Sequence, residues 1–370
     1  MQDQKIRDVI IVWWWAAGLF CSIFADKKLD KLILENSKRV WTKVLLSGWW
    51  RCNVTNIHLN PDTDYIWDNI KPLPSIFHKL SNQDVINWFT EKWLPMHEEN
   101  YGKMFLDCEK SSKLVDLLVQ ESKDNNTEIK LEQWVMDVEK QDDIFVVKTQ
   151  DNEYLCKNIV FSSGWKNFPQ IWATWIAWDI ANKFWIQVVE AYPCLSGVET
   201  VQDVSWLTWS AVEAEAIVNF WKKIVFQNKW PLLFTHRRLS WPAVFDIWLF
   251  IWKDLKNSDL KDYELKIRFD MKKLNEKTIQ FFGLSTKDFE RKFEITWFRP
   301  WELAKATWWW VKLSELDNNL QSKKVPWLYF AGEACDITGR TWGFNLQWAW
   351  SSGYVVGKTL VISSKVERSL

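Results

Sequence analysis

Residues 7–35 carry, in order, the types that can hold a dinucleotide: a strand, a tight turn, a helix, and a second strand ending in an acid. Arg7–Val12 reads as a short buried strand, Ala16–Ala25 as a helix and Lys31–Leu34 as a second buried strand. The turn between them is Val12-Trp13-Trp14-Trp15-Ala16-Ala17-Gly18. Such a turn asks for glycine three times: to bend tightly, to bring backbone amides to a pyrophosphate, and to pack helix on strand. Only the third position, Gly18, is glycine. Glu35 lies 17 residues beyond Gly18, where a carboxylate would take ribose hydroxyls. An apolar strand–helix corner with a surface glutamate accounts for the same residues, so this stretch alone leaves both readings open.

Other reactive types are sparse. The six cysteines include no C-x-x-C pair, and the four histidines lack the spacing of a zinc site. A reduced protein without structural metal is expected. Cys52 has no cysteine close in sequence to form a redox pair. His236 has the chemistry of a proton donor, and a structural histidine fits it as well.

A chain of 370 residues with 48% hydrophobic and 25% charged residues is globular and long enough for two or three domains. Lys plus Arg balances Asp plus Glu at 47 each, so no global field attracts nucleic acid or anionic lipid. The expected partner is a small-molecule substrate, with no nucleic acid and no membrane; oligomeric state is left open. The uncharged run Val9–Ala25 is 17 residues, short for a membrane span, and passes directly into Asp26-Lys27-Lys28. A cytoplasmic protein is expected. Tryptophan is abnormally frequent at 31 and glycine scarce at 11, two sides of one exchange.

Strand, turn, helix and strand within 30 residues form the βαβ unit of a parallel sheet. Residues 61–122 are helical in pattern, broken at Pro72, Pro74 and Pro95. Short strands follow, among them Ile144–Thr149, Tyr154–Cys156 and Asn158–Ser163, the last returning to a turn at Gly164. Residues 186–245 are β-rich, and 253–293 are charged and amphipathic, like a small helical insertion. Val325–Gly332 reads as a buried strand and Phe344–Leu360 as a helix. The expected domains are 1–185 plus 313–370, then 186–250 plus 297–312, with a helical insertion over 251–296.

Three longer segments and two shorter ones, in order, sharpen this. Ser47-Gly48-Trp49-Trp50-Arg51-Cys52-Asn53-Val54-Thr55-Asn56 is similar to a Ser-Gly-Gly-Gly-Arg-Cys-Asn-x-Thr-Asn loop. Phe234-Thr235-His236-Arg237-Arg238-Leu239-Ser240-Trp241-Pro242-Ala243 is similar to Phe-Thr-His-x-Gly-Leu-Ser-Gly-Pro-Ala. Tyr329–Gly353, with Gly332-Glu333-Ala334-Cys335-Asp336 and Gly343-Phe344-Asn345-Leu346-Gln347, looks like a flavin-closing segment. Phe298-Arg299-Pro300 and Thr307–Val311 fit the same pattern. Together, over about residues 8–358, the chain resembles the BaiN/YhiN-like flavoprotein oxidoreductases. The resemblance implies an α/β fold: a Rossmann-like FAD domain, an inserted β-barrel-like domain and a small helical domain.

It also implies roles. Trp13, Trp15, Ala16, Ala17 and Gly18 would surround the FAD pyrophosphate, and Glu35 with Asn36 the adenosine ribose. Thr42 and Lys43 would reach phosphate, although Lys43 as a solvated charge fits equally. Val135 would cover adenine, with a plain core valine as rival, and Gly164 would turn the chain nearby. Arg51, Cys52 and Asn53 would line the flavin. Gly332, Glu333 and Asp336 would take ribityl or pyrophosphate groups, and Gly343, Phe344, Asn345 and Leu346 would present a helix N-terminus to the flavin O2/N1 edge. Arg51, Asn53 and His236 are the candidate catalytic residues, and NAD(P)H the expected reductant of FAD. The family chemistry is reduction of an activated double bond or oxidation of a small amine-like molecule. The departure from the pattern is tryptophan where it calls for glycine, at 13, 14, 15, 41, 49, 50, 165, 172, 175, 185, 241, 297, 309, 310, 327 and 342. Three indoles in the phosphate turn predict poor FAD binding, and a flavin-free binding or scaffold protein is the alternative function.

Overall fold

The computed structural model describes residues 5–13, 16–38, 50–66, 73–162, 176–189, 192–236, 238–255, 258–298, 306–308 and 311–366. The chain divides into two compact units, Met1–Ala191 with Trp309–Leu370, and Tyr192–Trp308.

The first unit is built on a seven-stranded sheet. Its central strand, Ile6–Val12, ends in four apolar residues, Val9 to Val12, all fully buried. A strand apolar on both faces belongs inside a parallel sheet covered on each side. It pairs in parallel with Lys31–Leu34 on one edge and Glu153–Phe161 on the other, in register from Ile6 opposite Leu155 to Val12 opposite Phe161. Thr127–Lys130 extends the sheet beyond Lys31–Leu34. The segments expected as two strands, Tyr154–Cys156 and Asn158–Ser163, are one continuous strand serving two partners. Its first half pairs antiparallel with Ile144–Thr149 and its second half in parallel with Leu328–Phe330.

The apolar run considered above for a membrane is spent inside this core, as the central strand and the helix Ala16–Phe24. Among the described residues no helix is long and apolar enough to cross a membrane. The helix Ala16–Phe24 crosses the last helix, Phe344–Val366, with backbones in contact: a Cβ on Gly353 would lie 2.3 Å from the Ala17 carbonyl oxygen.

The second unit is a closed six-stranded antiparallel barrel, ordered Val198–Thr200, Arg238–Ser240, Lys223–Thr235, Ala211–Phe220, Tyr263–Phe269, Glu290–Phe298. The helical insertion expected over 251–296 is corrected here, because two barrel strands fall in it. In Tyr263–Phe269 the residues Tyr263, Leu265, Ile267 and Phe269 are buried, and Glu264, Lys266 and Arg268 alternate with them. That is the period of a half-buried strand. The charges pair across the outer face, Arg268 with Glu215 at 2.8 Å and Lys292 with Glu264 at 2.6 Å. The only regular α-helix between these two strands is the short Glu276–Phe282.

The turns hold the other departure from expectation. Nine tryptophans (Trp13, Trp50, Trp93, Trp185, Trp209, Trp221, Trp241, Trp327, Trp342) have φ between 47° and 84°. A side chain in this region costs about 1–2 kcal/mol per residue.

Candidate cofactor-binding site

The end of the central strand, the start of the first helix and the last helix converge in the first unit. Val12 sits beside Leu34 and Phe161, so the residues following these three strand ends share one edge of the sheet. In open parallel sheets, ligands bind beyond the carboxyl ends of the strands. Gly18 is enforced by packing: a Cβ there would meet Ser162 Oγ at 2.5 Å and the Trp13 carbonyl oxygen at 2.6 Å. The Ser162 hydroxyl in turn donates to that carbonyl. Ala16 and Ala17 are buried in the first turn of the helix.

Glu35 follows the strand Lys31–Leu34 and is 6% exposed. Its amide donates to the Lys130 carbonyl at 2.9 Å, and its Oε1 accepts from the Ser37 amide at 2.9 Å. The carboxylate is therefore held at the strand end beside half-buried Asn36. Val135 is buried and starts the antiparallel strand Val135–Gln141, opposite Thr149.

From the far end of the chain, Gly332 donates its amide to Ser352 Oγ at 2.9 Å and accepts from the Trp348 indole at 2.8 Å, which locks the turn after Leu328–Phe330 onto the last helix. Glu333 is half-buried, and Asp336 is buried with its amide on the Val311 carbonyl at 2.9 Å. Burial pushes the Cys335 thiol up, and the neighbouring Asp336 pushes it further, so this cysteine is held as a thiol.

Gly343 has φ +98°, and a Cβ there would lie 2.7 Å from the Thr55 backbone. The start of the last helix thus lies directly on the strand Asn53–Asn56. Phe344 is buried, its carbonyl accepting from Tyr65 Oη at 2.7 Å, and Leu346 is half-buried. Asn345 clips the preceding turn: its Oδ1 accepts from the Gly339 amide at 2.8 Å and its Nδ2 donates to the Gly339 carbonyl at 2.9 Å.

Asn53 is buried, and its Oδ1 has no hydrogen-bond partner among the described residues, 3.1 Å from where a Gly343 Cβ would stand. A buried acceptor left unmade is costly and is a group awaiting a donor. Cys52, beside it, is fully buried at φ 60°. Arg51 turns elsewhere. It pairs with Glu99 and Glu109 and lies 4.3 Å over the Phe105 ring; Glu109 first, then Glu99, holds its guanidinium well above the usual range. His97, Glu99 and Glu109 bring ligand atoms within 4.8 Å of one another, but Arg51 neutralises the two carboxylates.

Thr55 and Gln347 lie in the sequence motifs without an expected role. Thr55 Oγ1 donates to Gln347 Oε1 at 2.6 Å, Gln347 Nε2 to Ser351 Oγ at 3.0 Å, and Ser351 to the Leu80 carbonyl at 2.8 Å. Gln347 and Ser351 are polar types at otherwise apolar positions of the last helix, which is a signal legible in the sequence; Thr55, in the strand Asn53–Asn56, carries none. Of the other expected residues, Trp15, Thr42, Lys43 and Gly164 lie outside the described residues. His236 belongs to the barrel unit, exposed in the turn between Lys223–Thr235 and Arg238–Ser240.

This frame suits a dinucleotide at Gly18, Glu35, Asp336 and the start of the last helix. Position 13 does not suit it. Trp13 is 1% exposed, at φ 66°, and its indole Nε1 has no hydrogen-bond partner among the described residues. A buried ring stands in the turn where a pyrophosphate needs open backbone.

A "Ribosomal RNA dihydrouridine synthase" of Escherichia coli (strain K12) is 27% identical over 96% of this chain and 98% of its own. A "3-dehydro-bile acid delta(4,6)-reductase" of Clostridium scindens is 44% identical over 41 residues, 11% of this chain and 10% of its own. The crystal structure of a 3-ketosteroid-delta4-(5alpha)-dehydrogenase from Rhodococcus jostii RHA1 shares the fold at TM-score 0.52 and 11% identity, covering 98% of both chains. The family described as "HI0933-like protein Rossmann domain" matches residues 7–359. The chain therefore belongs to the HI0933-like family, a Rossmann-type group among the FAD-dependent oxidoreductases.

Proposed function

We propose that this protein is an FAD-dependent reductase that saturates a carbon–carbon double bond conjugated to a carbonyl, with NAD(P)H as the source of reducing equivalents. The observation that supports the reading is the frame at the sheet edge, where Gly18, Glu35, Asp336 and the start of the last helix suit a dinucleotide at every point but Trp13. FAD bound there would supply hydride chemistry, which the protein's own side chains do not possess. The chain's residues bind and orient: Glu35 takes ribose hydroxyls, the helix N-terminus at Phe344–Leu346 favours negative charge, and the Asn53 carboxamide oxygen accepts one hydrogen bond.

The substrate reading follows the relatives' names. Dihydrouridine differs from uridine by saturation of a ring double bond conjugated to a carbonyl, and a delta(4,6)-reductase acts on the same kind of bond. The likeness to the RNA-modifying relative spans nearly the whole chain, which favours a uracil ring in ribosomal RNA and a cytoplasmic setting. The competing reading, from the even charge balance, is a free small molecule with no nucleic acid. FAD-loaded protein incubated with NADPH and unmodified ribosomal RNA should yield dihydrouridine in digests. A steroid-type enone reduced while RNA stays unchanged would select the small-molecule reading. Failure of both substrates to accept hydride would sink the proposal.

A further inference from the structure

Backbone conformation sets nine of the described tryptophans apart from the others, and at several of them the local motif and the side chain agree. Among the described residues 18 non-glycine residues have positive φ, and nine of these are tryptophan, although tryptophan is only 31 of the 370 residues of the sequence. A bulky residue is rare in this region.

A second sign is the local motif. The helix Asn82–Glu91 ends with Trp93 at φ 62°, the Leu94 amide donating to the Phe89 carbonyl at 2.9 Å. The helix Ile176–Lys183 ends with Trp185 at φ 58°, the Ile186 amide donating to the Ala181 carbonyl at 2.8 Å. Both are Schellman closures, whose left-handed residue is usually glycine. The helix Glu276–Phe282 closes the same way on Gly283. Trp221 and Lys222 form the two-residue loop between Ala211–Phe220 and Lys223–Thr235, both at positive φ, a turn that selects glycine and asparagine. Trp241, at φ 74° and ψ 175°, occupies a region reached essentially by glycine alone.

A third is what the side chains do. Trp93, Trp185, Trp209 and Trp221 are 91%, 85%, 78% and 76% exposed, and buried Trp13 leaves its N–H without a partner among the described residues. Trp348 and Trp350, in the last helix, are buried with their indoles hydrogen-bonded.

We infer that the polypeptide made in its native cell carries glycine at positions 13, 50, 93, 185, 209, 221, 241, 327 and 342, through a genetic code that assigns to glycine a UGA codon read here as tryptophan. One cause then explains the backbone, the indoles left exposed at Trp93, Trp185, Trp209 and Trp221, and the glycine deficit. Glycine at position 13, beside Gly18, removes the ring from the phosphate turn and exposes its backbone to a pyrophosphate, so the frame and its residues agree. The inference rests on backbone geometry and stands independently of the reduction reaction proposed above.

Peptide mass spectrometry of the protein purified from its native source decides it. Glycine masses are expected at the nine positions and tryptophan masses at 348 and 350; tryptophan at the nine overturns the inference. The gene supplies a second reading: UGA at the nine and UGG at 348 and 350 is expected, and UGG throughout overturns it.

Discussion

The helix Glu276–Phe282 and the helix Asn82–Glu91 leave their last turns along the same path with different residues. Gly283 stands at φ 60° in one, and Trp93 at φ 62° in the other, 91% exposed. In the last helix, by contrast, Trp350 lies 4.7 Å from Phe20 and 5.8 Å from Phe89, and its indole donates to the Val54 carbonyl at 2.9 Å. In the turn the backbone decides the geometry and the indole adds nothing. In the last helix the indole is the packing. One residue type therefore has opposite energetic consequences in two regions, and substitutions can separate them.

The largest effect belongs to the helix. Trp350→Ala should cost about 3–5 kcal/mol, the range for emptying an aromatic from a core, with the Val54 carbonyl left unmatched as well. Urea unfolding measures it; a loss below about 1 kcal/mol would show that the last helix tolerates a void and would erase the contrast.

Next comes the crossing of that helix with Ala16–Phe24. Gly353→Ala forces a Cβ to within 2.3 Å of the Ala17 carbonyl oxygen, and neither backbone can swing aside. Over-packing of this kind costs about 1–3 kcal/mol, to be read as a lowered Tm. An unchanged Tm would mean the helices part easily.

These contacts differ in how far the sequence discloses them. The central sheet is legible because Val9–Val12 and Leu32–Leu34 are continuous apolar runs, which only a strand covered on both faces requires. Glu35 is legible because it follows such a run. The barrel strand Tyr263–Phe269 does carry the period of a strand, Tyr263, Leu265, Ile267 and Phe269 alternating with Glu264, Lys266 and Arg268. The high charge of the segment around it masks that period until the cross-strand partners are known. Arg51 is hidden for a related reason, since Glu99 and Glu109 lie some 50 residues away and claim it in three dimensions. Asn53 looks like any motif asparagine, and its orphaned oxygen exists only once the strand is packed. Local patterns are written locally; pairings between distant charges and buried polar atoms are not.

The turns respond with the opposite sign. Trp93→Gly and Trp185→Gly should each stabilise the chain by about 1–2 kcal/mol, because the left-handed backbone is kept and the penalty of a side chain there is removed. The reciprocal change, Gly283→Trp, should destabilise by a similar amount. A Cβ at Gly283 meets nothing within 4 Å, so sterics add nothing to that loss. Chemical denaturation of the three variants gives the comparison; destabilisation by the two glycine variants would show that the exposed indoles do contribute packing.

The smallest effect tests whether φ or the tryptophan itself is responsible. Trp297 is 62% exposed, like the turn tryptophans, but it lies within the strand Glu290–Phe298, opposite Glu199, and is not among the positive-φ residues. Family resemblance asks for glycine here too, whereas the backbone gives no reason for it. Glycine inside a strand is destabilising by about 0.5–1 kcal/mol, so Trp297→Gly should lower the Tm slightly where Trp93→Gly raises it. Opposite signs at two exposed indoles would assign the effect to backbone conformation. A rise at both would assign it to the exposed ring, and the argument from φ would lose its force.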